Sequence, residues 1–91
     1  MADTLKSLRA LADPTRLRIM ALLEKDELSV NEIQQVTRMG QSRISTHLRP
    51  LQEAGLIQYR REGKRTFYKL NPQADTGAKE FIELATRGAK E

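Results

Sequence analysis

Ser42, Ser45, Thr46 and Arg49 bring three hydroxyls and a guanidinium to one side of a single expected helix. At about 100° per residue they fall opposite the apolar stripe Ile44, Leu48 and Leu51. Hydroxyls both donate and accept hydrogen bonds, and a guanidinium donates in a planar fork, so these groups can read base edges in a DNA major groove. Gln41 and Arg43 belong to the same first turns and are candidates with them. Most exposed polar side chains merely meet water, but a polar face directly after a helix-turn signal favours contact with DNA.

A second group of candidates is cationic. Arg60, Arg61, Lys64 and Arg65 crowd the tip of an expected hairpin, where like charges repel unless an anion lies between them. A charged tip also keeps a strand edge from pairing with other chains, yet phosphate contact accounts better for four cations in six residues. His47 is carried as a marginal member of the DNA-facing set. At roughly 60° from the apolar stripe it sits at the helix boundary, partly packed or bonded to backbone. With no Cys in the chain and no Asp, Glu or Ser at a recognisable spacing from it, His47 makes neither a metal site nor a catalytic one. No cofactor loop, nucleophile or metal cluster is present, so neither an enzyme nor a cofactor is expected.

The charge is unevenly spread. Between positions 36 and 70 there are eight basic residues and two acidic ones, so the net +4 of the chain leaves −2 for everything else. Such a concentration suits a polyanion, whose counterions are released on binding. A membrane surface is the poorer partner, since the basic residues do not line one long amphipathic helix with aromatic anchors opposite. The longest apolar run, Ile19 to Leu23, is far too short to span a bilayer, and Asp3 stands where a basic signal-sequence start would be. A cytoplasmic location is the default expectation.

Ninety-one residues suffice for one domain, read as 1–91. Leu5, Leu8, Leu11 and Ala12 share one face of a first helix from Asp3 to Ala12, with Asp3 placed to cap it. Asp13-Pro14 opens a second helix to Glu24, because aspartate caps free N–H groups and proline fits the first turn. After the polar break Lys25-Asp26-Glu27, Ser29 and Glu32 form a capping-box pattern for a third helix, Val30 to about Thr37. Arg38-Met39-Gly40 is short enough to turn between two steeply crossing helices. The fourth helix runs from about 41 to 54, stops at Gly55, and is expected to bend at Pro50. Leu56 to Arg61 and Arg65 to Leu70 then read as a β-hairpin around Glu62-Gly63-Lys64. Ala78, Phe81, Ile82 and Ala85 mark a last amphipathic helix, widened by Leu84. The fold class expected is therefore mainly α with a small β-hairpin: a winged helix-turn-helix of four helices, a hairpin wing at about 56–70 and a fifth helix. The apolar faces of the first and last helices, Leu5, Leu8, Leu11, Phe81, Ile82 and Ala85, either cover a monomer core or form a dimer seam. A seam is favoured, because dyad-related reading helices match half-sites about one DNA turn apart.

The sequence resembles the arsenic-repressor (ArsR/SmtB) family of bacterial winged-helix regulators. Ala10-Leu-Ala-Asp-Pro-Thr-Arg-Leu-Arg-Ile19 is similar to that family's opening signature and Gln41-Ser-Arg-Ile-Ser-Thr-His-Leu48 to its recognition helix. Leu51-Gln-Glu-Ala-Gly-Leu-Ile57 and Arg61-Glu-Gly-Lys-Arg-Thr-Phe-Tyr68 resemble its helix exit and wing. The resemblance implies a homodimer that binds an operator in double-stranded DNA, and a repressor released by an effector. The effector is left open as a small molecule or a protein. Members that sense soft metals carry two cysteines where this chain has Glu27-Leu28-Ser29-Val30-Asn31, and those that bind zinc on the last helix use histidines that are missing between 76 and 87. Metal sensing is accordingly not expected. Gly40 stands where the family has a serine cap.

Two other readings compete. The chain could be the regulatory head of a longer polypeptide such as a methyltransferase fusion, which the lack of a clear stop after Gly88-Ala-Lys-Glu91 allows. It could also be a winged helix that binds protein through its hairpin, a role that gives no reason for a +6 segment.

Overall fold

Strong start and stop signals set most of the elements. The computed structural model describes residues 2–74 together with 80, 83, 84 and 87. Helix α1 spans Ala2–Leu11, so it begins one residue before Asp3. Helix α2, Pro14–Lys25, begins as its residues require: Asp13 is extended, and its Oδ1 accepts from the backbone N–H of Thr15 at 2.8 Å and of Arg16 at 3.0 Å. Helix α3, Val30–Thr37, carries the expected capping box, with Glu32 N–H donating to Ser29 Oγ and Ser29 N–H to Glu32 Oε1.

The connection from α3 to α4 (Gln41–Glu53) passes through Arg38, which sits in the left-handed region at φ 60°. The Thr37 hydroxyl steadies this turn by donating to the Ile33 carbonyl at 2.7 Å while accepting from Met39 N–H at 3.3 Å. Helix α4 continues past Pro50 to Glu53 and ends in a Schellman motif. Gly55 N–H reaches the Gln52 carbonyl at 2.9 Å and Leu56 N–H reaches that of Leu51 at 3.0 Å, with Gly55 at φ 72°. Leu51 and Leu56, the apolar pair that accompanies such a stop, are both buried.

Strands β2 (Ile57–Glu62) and β3 (Arg65–Leu70) form the antiparallel hairpin in a register that pairs Ile57 with Leu70 and Glu62 with Arg65. Only Gly63 and Lys64 lie between them. Gly63 has φ 62° and Lys64 is not left-handed, which matches the II′ family of tight turns. The expected hairpin is in fact one edge of a three-stranded sheet. Leu28–Ser29 forms β1, antiparallel to β3 with Leu28 opposite Tyr68, and the order is β1-β3-β2. A two-residue strand has no alternation to read, so its pairing became visible only once β3 was in place.

The core gathers Ile19, Met20 and Leu23 from α2 with Ile33, Ile44, Leu48, Leu51 and Leu56. Leu11 belongs to the same core and is 0% exposed, so the expectation that it lines a dimer seam is corrected: its side chain is spent within its own chain. The backbone is helical at Glu80, Glu83, Leu84 and Arg87. Ala78, Phe81, Ile82 and Ala85, expected on the last helix, lie outside the described residues. No helix among the described residues is long and apolar enough to cross a membrane.

Candidate nucleic-acid interface

The two faces of α4 are separated as cleanly as its sequence periodicity requires. Ile44, Leu48 and Leu51 are buried, whereas Gln41, Ser42, Arg43, Ser45, Thr46 and Arg49 are all exposed. Burial of the stripe fixes the rotation of the helix about its own axis, and that rotation alone decides which side chains meet solvent. Thr46, exposed, donates its hydroxyl hydrogen to the Ser42 carbonyl at 2.9 Å, which leaves the oxygen's lone pairs unused. From that position it can accept from an exocyclic amine or pack on a thymine methyl.

His47 turns away from this face toward α2. Its Nδ1 lies 3.5 Å from Arg16 Nη1 and 3.9 Å from Asp13 Oδ1, and its side chain is only 17% exposed. An unprotonated Nδ1 accepts from Arg16, and a protonated one donates toward Asp13, so the two contacts exclude each other. Arg16 Nε also donates to the Ala10 carbonyl near the end of α1. The Asp13 carboxyl is held below the usual carboxylate range, chiefly by the Arg16 backbone N–H it accepts, with the Arg16 and His47 charges adding to the effect. These contacts tie α4 to the α1–α2 corner.

The wing is anchored at its base. Asn71 N–H donates to the Leu56 carbonyl at 3.0 Å and its side-chain amide to that of Gly55 at 2.8 Å, and Gln58 closes the loop onto Asn71 Oδ1 at 3.1 Å. The sheet therefore leaves α4 at a fixed angle. At the other end, Lys64 and Arg65 share a hollow of about 150 Å³ with Gln41 and Asn31, which puts the hairpin tip beside the first turn of α4.

The four tip cations are not equivalent. Arg61, Lys64 and Arg65 are exposed. Arg60, expected to be a fourth free cation, is engaged: its Nε and Nη2 donate to the Glu27 carboxylate at 2.8 to 3.1 Å, its Nη1 donates to Glu62 at 2.6 Å, and its guanidinium lies 4.7 Å from the centre of the Phe67 ring. Both carboxylates hold Arg60 more firmly charged, and Arg60 in turn keeps Glu27 below the usual range. Sequence reasoning misses Glu27, which stands in the polar break Lys25-Asp26-Glu27. Only the register of β1 on β3 places it across from the wing.

At the expected seam, Leu5 is 48% exposed, Leu8 is half-buried and Leu84 is 68% exposed. Leu84 lies beside the positions expected there, although Phe81, Ile82 and Ala85 themselves fall outside the described residues. Leu5 and Leu84 are large apolar side chains that the chain leaves in water. Among the described residues no group of three or more potential metal ligands comes together.

A buried-faced helix after a short turn, with a sheet wing beside its first turn, defines a winged helix-turn-helix protein. Residues 13–59, just over half of the sequence, match the arsR family of bacterial regulatory proteins, and the chain belongs to that family. It is 41% identical over 61 residues to the transcriptional repressor SmtB homolog of Synechocystis. That match covers 67% of this chain and only 46% of the relative, so the chain spans about half the length of that protein. It is 39% identical over 80 residues to the transcriptional activator HlyU of Vibrio cholerae, covering 88% of this chain and 71% of the relative. The solved structure of that HlyU superposes with a TM-score of 0.84 at 36% identity, over 99% of this chain and 95% of the other. A homodimeric winged helix-turn-helix DNA-binding domain from Mycobacterium bovis superposes with a TM-score of 0.80 at 31% identity, over 99% of this chain and 81% of the other.

Proposed function

We propose that this chain is a sequence-specific DNA-binding regulator of transcription that works as a homodimer in the cytoplasm. In this reading α4 lies in the major groove and the wing lies on the adjacent backbone. The observation that carries it is the row Ser42, Ser45, Thr46 and Arg49, exposed along a helix whose opposite face is completely buried. The exposed Leu5 and Leu84 supply the apolar contact of a dimer, in agreement with the homodimeric relative. Two copies related by a dyad present two α4 helices to successive turns of one duplex.

Named relatives include a repressor and an activator. We favour repression, because a dimer spanning two groove turns excludes polymerase by occupancy alone. No metal enters this reading, since the chain contains no cysteine and offers Ser29, the cap of α3, and Asn31 in its first turn where thiolates would be needed.

The division of labour between helix and wing is tested by binding curves on a duplex selected from a random pool and on an unrelated duplex. Arg43→Ala and Thr46→Ala should weaken binding to the selected duplex, each by about 1–3 kcal/mol, and leave the unrelated one almost unchanged. Arg61→Ala and Lys64→Ala should weaken both alike and flatten the dependence of log affinity on log salt by about one unit each. Equal losses on both duplexes for all four variants would refute it.

A further inference from the structure

Outside positions 36–70 the chain is acidic on balance, yet three of its remaining cations converge on one place. Lys6 and Arg9 are three residues apart on α1, so they stand one above the other on the same face, and both are exposed. With Ala10, Arg16, Pro50 and Glu53 they line a hollow of about 200 Å³ where the end of α1 meets the second half of α4. Arg16 enters from α2 with its guanidinium already oriented by the Ala10 carbonyl and His47. Three basic residues and one acidic residue, Glu53, thus border the hollow. Like charges at this spacing repel in the free protein, and an anion between them removes the repulsion.

Location gives the hollow its meaning. Pro50 and Glu53 also border the groove that carries Gln41, Ser42, Ser45, Thr46 and Arg49, so the cationic hollow is continuous with the exposed face of α4. The wing cations Lys64 and Arg65 lie beside Gln41, at the other end of the same helix. The 13 residues of α4 extend about 20 Å at 1.5 Å per residue, longer than the roughly 12 Å width of a major groove. Positive groups therefore bracket a helix long enough to reach from one sugar-phosphate strand to the other. The negative end of the α1 dipole explains Arg9 in its last turn. It explains neither Lys6, a turn earlier, nor the convergence with Arg16.

We propose that Lys6 and Arg9, backed by Arg16, form a second clamp for DNA backbone phosphate, on the flank of α4 away from the wing. The inference rests on the DNA-binding reading above and extends the interface to α1, which also carries the exposed Leu5 one turn before Arg9. Contacts of this kind fix register and affinity without reading sequence.

The test uses the full chain, a fluorescent duplex selected by the wild type from a random pool, and an unrelated duplex, each titrated over a range of salt. Lys6→Gln with Arg9→Gln is compared with the charge-keeping pair Lys6→Arg with Arg9→Lys, at concentrations where sedimentation shows the same state of association for all. The clamp predicts that the Gln pair loses affinity alike on both duplexes, with a log–log salt slope shallower by about two, while the charge-keeping pair retains the wild-type slope. Hydroxyl-radical footprints of the Gln pair should lose protection on the strand away from the wing and keep it under the wing. An unchanged slope, or a loss confined to the selected duplex, overturns the clamp while leaving the DNA-binding reading intact. A wild type that binds neither duplex at low salt overturns both.

Discussion

Arg60 and Glu27 meet side-on across 33 residues of sequence, with Nε and Nη2 of the guanidinium both donating to the carboxylate. This fork joins the wing to the residue just before β1 and cancels one of the four cations that crowd the hairpin tip. At the hairpin tip, the positive charge available to a duplex is therefore carried by Arg61, Lys64 and Arg65.

Glu27→Gln should consequently act opposite to loss of a tip cation. It leaves Arg60 paired with Glu62 alone and removes one negative charge beside the wing, so binding to unrelated duplex should tighten and the salt slope should steepen by up to about one unit. Arg60→Ala should leave that slope near the wild-type value, unlike Arg61→Ala. Fluorescence anisotropy over a salt series distinguishes the cases, and a flattened slope for Arg60→Ala would show that the ion pair opens on DNA.

Asp13 makes stability fall in acid. Its folded-state pKa lies below the ordinary carboxylate value, so its contribution is complete above the unfolded-state pKa and is lost as pH falls through the lower folded one. Asp13→Ala removes the cap of α2 and should cost about 1 kcal/mol near neutral pH. Asp13→Asn retains an acceptor for the Thr15 and Arg16 N–H groups and should lose less there. It should also flatten the acid limb in urea unfolding followed at a series of pH values. The Glu27 and Glu32 carboxyls, also lowered, retain part of that limb.

Two glycines should respond in opposite directions although both have open space at the Cβ position. Gly40 is the N-cap of α4 at φ −70°, without a side-chain cap bond, so Gly40→Ser adds the missing acceptor and restricts the unfolded chain. A gain of about 0.5–1 kcal/mol should appear as a higher unfolding midpoint. Gly55 at φ 72° closes the Schellman motif, and Gly55→Ala should cost about 1 kcal/mol because a Cβ resists that backbone conformation.

His47 lies close enough to Arg16 and Asp13 to serve as a tie between α4 and α2. His47→Ala should lower stability by about 1 kcal/mol, the worth of one ordinary hydrogen bond, and leave the salt slope on DNA unchanged. A slope flattened by one unit with no loss of stability would instead make His47 a phosphate contact.

Local chemistry makes much of the fold legible in the sequence. The Ser29–Glu32 box, the Asp13-Pro14 start, the Gly55 stop and the buried stripe of α4 each depend on residues within a turn or two of one another, where periodicity and capping are decisive. The exposed row from Gln41 to Arg49 followed from that stripe. Other features depend on which distant residues become neighbours. Leu28–Ser29 is a strand only because β3 lies beside it, and Glu27 neutralises Arg60 only because that pairing brings them together. Leu11 shared a face with Leu5 and Leu8, yet packing against α2 and α4 drew it into the core and left Leu5 in water. Helical periodicity assigns a residue to a face, but the surface that face meets is set by contacts far apart in the chain.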